Sequence, residues 1–88
     1  MIRTVTGDDI FIGKESFHPI YGSVSEKEAR DKAEAIRKRG YRSNGVRVLG
    51  VRVIHRERGM HCKISGSEKK GTGRWVPFRG WVIFVRLW

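Results

Sequence analysis

A single cysteine, Cys62, stands in 88 residues. That excludes an internal disulfide and suits a reducing compartment. No stretch approaches the ~20 apolar residues of a membrane span. Met1 to Thr6 carries no apolar core of a secretory signal. The expectation is a cytoplasmic protein with no membrane partner. No Gly-x-x-x-x-Gly-Lys-Ser/Thr loop occurs, nor a Gly-x-Gly-x-x-Gly after a strand, so the common nucleotide-cradling motifs are missing. Acid is scarce in one region. After Ile36 the only acidic residues are Glu57 and Glu68.

What is present in that region is base. Residues 37–88 carry 14 Lys and Arg against those 2 acids, a net +12. Residues 1–36 carry 5 basic and 7 acidic residues, a net −2, which gives the +10 of the whole chain. Solubility of a small domain needs a net charge of only ~2–8. A larger and segregated charge repels itself in the compact state and calls for a polyanion to neutralise it.

The length makes one domain, residues 1–88, with one modest core. At 39% hydrophobic and 10% aromatic, with apolar residues in periodic runs, the chain is not compositionally disordered. Ile2 to Thr6 and Ile10 to Ile12 are β-prone and predict a hairpin through Gly7-Asp8-Asp9. Lys14 to Gly22 reads as loop, because Pro19 disfavours helix at His18 and Gly22-Ser23 break the pattern.

Ser25 to Arg39 is the helix. Ser25 and Glu28 have capping-box spacing, with Val24 and Ala29 placed as a hydrophobic staple. Ala29, Ala33 and Ile36 form a narrow apolar stripe. Acids favour its first turn, Arg37-Lys38-Arg39 its last, and Gly40 its C-cap. A stripe this rich in alanine must lie close against a sheet.

Val46 to Arg56 alternates as a strand, and its phase break predicts a bulge at Gly50. Glu57-Arg58-Gly59 predicts a hairpin turn. Met60, Cys62 and Ile64 then alternate with polar residues. Ser65 to Gly73 is a basic, glycine-rich loop. Trp81 to Trp88 is apolar on both faces: Trp81, Ile83, Val85 and Leu87 on one, Val82, Phe84 and Trp88 on the other. Such a strand is central, or covered by a partner. We expect internal cover, with a homodimer through this strand as the alternative. The fold class is α+β, two-layer, one helix on an antiparallel sheet of four to five strands.

The candidate site is the basic surface. Arg47, Arg52, Arg56, Arg58 and Lys63 would project from the sheet toward phosphates. Lys69, Lys70 and Arg74 would reach them from the loop, beside Trp75 as a stacking platform. The expected partner is nucleic acid, DNA or RNA, bound mainly through phosphates and with weak sequence specificity.

Cys62 and His61 alternate to opposite faces of one strand and do not make a chelate, so no metal and no cofactor are expected. Two rivals remain. One is an adaptor or inhibitor, of viral or mobile-element origin, docking on an acidic protein. The other is a metal-independent RNA-cleaving toxin using His55, His61 and Arg58, with the two histidines facing each other across the turn at Glu57 to Gly59. The main expectation is binding without catalysis.

Overall fold

The structure is a computed structural model and describes residues 2–40, 48–65 and 73–86. In chain order the elements are β1 (Arg3–Gly7), β2 (Ile10–Ile12), β3 (Glu15–Ser23), α1 (Glu26–Arg39), β4 (Gly50–Ser65) and β5 (Gly73–Arg86).

The helix starts and stops where capping chemistry places its ends. Ser25 Oγ accepts the Glu28 N–H at 3.3 Å, satisfying one orphan donor of the first turn. The return half of the box runs through Ser23. Ser23 Oγ accepts the Ser25 N–H at 3.1 Å and donates to the Glu28 carboxylate at 2.8 Å. At the far end Gly40, with φ 88°, gives its N–H to the Ile36 carbonyl at 2.8 Å. The expected staple is absent. Val24 is 77% exposed, because Ala29 is buried against the sheet and not turned toward the entering chain.

The five strands are antiparallel in the order β1-β4-β5-β3-β2, and a further pairing of β1 with β3 closes β1, β4, β5 and β3 into a ring. Closure of this kind removes edges where the strands pair, while among the described residues β2 and the first half of β4 each keep one. The helix packs outside the ring. The α+β two-layer arrangement expected from the sequence is therefore the fold, with the sheet curled on itself.

Two cores result, and β5 feeds both. Its Ile83 and Val85 join Ala29, Ala33 and Ile36 of the helix, together with Ile20 and Val51. Its Val82, Phe84 and Phe78 join Val5, Phe17, Met60 and Cys62 inside the ring. Cys62 is thus a core residue. Both edges of β5 are paired, with β3 and β4. Val82 to Val85 are buried within the chain, while Leu87 and Trp88, counted on the same two faces, lie outside the described residues. Gly22 is part of this closure. A Cβ there would sit 2.8 Å from Phe78 and from Val5, so only glycine lets β3 approach β1 and β5 so closely.

Four local expectations are corrected. Residues 15–23 are a strand, not a loop. Pro19 is tolerated because the pairings on the β1/β2 side of β3 stop at Phe17 and resume at Tyr21, and the β5 register shifts between Pro19 and Tyr21. β1 and β2 do not pair with each other; both lie along β3, and the tight turn is Gly13-Lys14, between β2 and β3. The phase break at Leu49-Gly50 is where β4 begins rather than a bulge within it. Finally, Glu57-Arg58-Gly59 is not a hairpin turn. β4 runs on to Ser65, and these three residues form a bulge facing Arg79 alone, between the pairs Arg56–Gly80 and Met60–Phe78. Gly59 supplies its positive φ of 80° to the bulge.

Candidate nucleic-acid interface

Strand alternation sorts the β4–β5 hairpin into an inner and an outer face. Val82, Phe84, Phe78, Val76, Cys62, Met60 and Ile54 define the inner one. Trp81, Ile83, Val85, Val51 and Val53 define the outer one, where the helix sits. The helix covers only the half of the hairpin before the bulge. Beyond it, the same outer face carries His61, Lys63, Trp75, Pro77 and Arg79, all exposed. Directly opposed residues share a face, so Lys63 stands across from Trp75, and His61 across from Pro77. Thr6 of β1 lies on the other side of His61.

The two tryptophans of this face differ. Trp81 is partly buried: the His55 ring meets it edge-on at 5.1 Å, and the Arg30 guanidinium of the helix lies 6.0 Å from its centroid. Trp75 is 48% exposed and belongs to neither core. A large ring left in water while Phe17 and Phe84 are buried is available to a partner.

Cations differ by element too. On the helix, Lys27 bonds Asp31 at 2.9 Å, which raises the lysine's pKa. Arg30 pairs with Glu26 at 2.8 Å, Arg37 with Glu34 at 2.7 Å, and Lys38 with Glu34 at 3.8 Å. On β4 and β5 the described cations are Arg52, Arg56, Arg58, Lys63, Arg74, Arg79 and Arg86. Only Arg86 has an acidic partner among the described residues, Glu15 at 3.4 Å. Among the described residues, four of the six helix cations are paired with acids, against one of the seven on the hairpin.

The residues expected to form one basic surface are divided by this geometry. Lys63 and Trp75 come together on the outer face, with Arg58 exposed in the bulge beside it. Arg52, Arg56 and Arg74 take the inner-face phase. Arg52 lies with its guanidinium 5.8 Å from the Phe17 ring, at the margin of the inner core. Arg56 has its Nε buried with no hydrogen-bond partner among the described residues. The ring closes over Met60, Cys62, Phe78, Val82 and Phe84, whereas Arg52 and Arg74 on the same phase are exposed and Arg56 is partly buried. Arg52 and Arg56 also lie on the stretch of β4 whose other edge has no partner strand among the described residues, since β1 reaches only Met60 to Cys62. Charge on such an edge discourages strand addition, and this suffices to explain them without a ligand. Arg47, Lys69 and Lys70 lie outside the described residues.

The histidines are not arranged as expected. Because β4 continues through the bulge, His55 and His61 do not oppose each other. Their partners across the ladder are Trp81 and Pro77. His18 is elsewhere, with its Nδ1 3.0 Å from Asp9 Oδ1, at the break between β1 and β2. Among the described residues no three potential ligands gather around a metal position, and no helix is long and apolar enough to cross a membrane.

Sequence reasoning missed Arg79 and Pro77. The signal was there: from Trp75 to Trp81 every second residue shares a face. Comparison with protein-family models, with curated proteins and with solved structures finds no match.

Proposed function

We propose that this protein binds nucleic acid through its β4–β5 hairpin, mainly by phosphate contacts and with weak sequence specificity, and does no chemistry on it. The supporting observation is the contrast in pairing. Four of the six helix cations, Lys27, Arg30, Arg37 and Lys38, have acidic partners, while Arg58, Lys63, Arg74 and Arg79 on the far half of the hairpin have none among the described residues. Lys and Arg that neutralise phosphates release the counterions condensed there, which supplies sequence-independent affinity. Lys63, Arg79 and Arg58 lie on or beside the bare outer face, and Arg74 adds charge near its end. Cytoplasmic residence fits this reading.

The test is fluorescence anisotropy with labelled DNA and RNA between ~50 and ~200 mM salt. A linear fall of log affinity with log salt, losing an order of magnitude or more over that range, is the expected result. No binding to any nucleic acid at the lowest salt overturns the proposal. A second reading, docking on an acidic protein, then takes its place. It is favoured by Phe11 and Leu49, 73% and 55% exposed near the start of the β2–β3 and β4–β5 pairings.

A further inference from the structure

We infer that the ligand is a single strand, held with a base stacked on Trp75 and its backbone running along the outer face past Lys63 toward Arg79. This rests on the nucleic-acid reading and goes beyond it, since phosphate attraction alone does not distinguish single strands from duplex.

Three observations carry it. The first is Trp75 itself. Its ring is half-exposed on a sheet surface, outside both cores, and Lys63 stands directly across the ladder. Opposed Cβ atoms lie about 4.5–5.5 Å apart, so a cation can meet the phosphate of the nucleotide whose base covers the ring. Every base has a π-face, but only an unpaired, unstacked one can offer it to a side chain. The faces of duplex bases are taken by their neighbours.

The second is the row that follows. Same-face residues on β5 recur about every 6.8 Å. After Trp75 come Pro77, flanked by His61, and then Arg79 beside the bulge with Arg58. Flat and cationic groups therefore continue in one direction along a surface that the helix leaves bare. The row ends at Trp81, whose ring is occupied by Arg30 and His55. One free platform and a short cationic track fit a few nucleotides.

The third concerns duplex. Reading a groove takes a helix or a free two-stranded ribbon. The helix turns Glu26, Asp31 and Glu34 outward in ion pairs. The hairpin is tied to β1 along Met60 to Cys62, which makes it a barrel wall there and not a free ribbon.

The experiment compares 12-nucleotide single strands with duplexes of the same sequence, as DNA and as RNA, at one salt concentration. The proteins are wild type, Trp75→Ala, Trp75→Phe and Lys63→Ala, each checked for native circular dichroism. Single strands should bind at least about tenfold more tightly than duplex. Trp75→Ala should weaken single-strand binding by about 5- to 150-fold, leaving duplex binding and the salt slope in place, and Trp75→Phe should recover most of the loss. Lys63→Ala should instead reduce the salt slope. Equal affinity for duplex and single strand, with no effect of Trp75→Ala, overturns this inference and leaves the nucleic-acid reading standing. Absence of binding to all four probes overturns the underlying reading instead.

Discussion

Before the bulge, residues 50–56 and 80–86 of the β4–β5 hairpin have a core on each face. Beyond it, residues 60–63 and 74–78 have a core on one face and water on the other. Both strands run through from one half to the other, and the pairing resumes after the bulge between Arg56 and Met60. What changes is the cover: the helix with its alanine stripe reaches Val51, Ile83 and Val85 but not Lys63, Pro77 or Trp75. One piece of secondary structure thus serves as scaffold at one end and as a presented surface at the other. Rigidity for the second comes from burial of the first.

Substitutions should separate these halves, and the largest effect belongs to the covered one. Phe84 is fully buried inside the ring. Phe84→Ala should cost about 3–5 kcal/mol of stability, read from urea unfolding. A cost near 1 kcal/mol would mean that the inner core is not packed as described, and the contrast would collapse. Ala33, 2% exposed, sets how closely the helix lies on the sheet. Ala33→Leu should cost about 1–3 kcal/mol by overpacking, without altering nucleic-acid affinity per folded molecule.

The helix start comes next. Ser25→Ala removes the acceptor of the Glu28 N–H and should cost about 1 kcal/mol. The smallest stability effects lie beyond the bulge. Lys63→Ala and Arg79→Ala should each leave stability within about 0.5 kcal/mol. Each should also lower the salt slope of binding by about 0.7–0.9, the share of one phosphate contact. Additive slope losses in the double variant would sharpen the comparison. Unchanged slopes would place the phosphate contacts elsewhere on the chain.

Much of this was legible in advance, and the failures share a cause. Ser25, Glu28, the stripe Ala29-Ala33-Ile36 and Gly40 specify the helix by local chemistry, which works at any place in a fold. The two apolar faces of Trp81 to Arg86 announced a central strand. β3 was missed because Pro19 and Gly22 look like breakers. Pro19 falls where one side of β3 lacks a partner, and Gly22 is required by the approach of Phe78 and Val5. Glu57-Arg58-Gly59 was misread because a tight turn and a bulge use the same positive-φ glycine. The difference is whether the following residues reverse or continue. Here β5 decides, by pairing with both halves of β4.

The candidate site was legible as residue types and not as an arrangement. Lys63, Arg58 and Trp75 lie on or beside the bare outer face. Arg52 and Arg56, which have the same charge and the same strand, take the opposite phase, Arg52 exposed beside Phe17 and Arg56 partly buried. Alternation says which residues share a face, but not which face will be covered.

By itself the sequence determined the helix and its ends, the segregation of charge into residues 37–88 and the double-faced apolar strand. These follow from side-chain chemistry and short-range periodicity. Only the tertiary structure decided that the sheet closes, that β4 passes through its bulge without turning, and that Trp75 is left half-exposed outside both cores while Trp81 packs against one. Each of those depends on pairing and packing between residues far apart in the chain, where the free energy is shared among partners that no local pattern names.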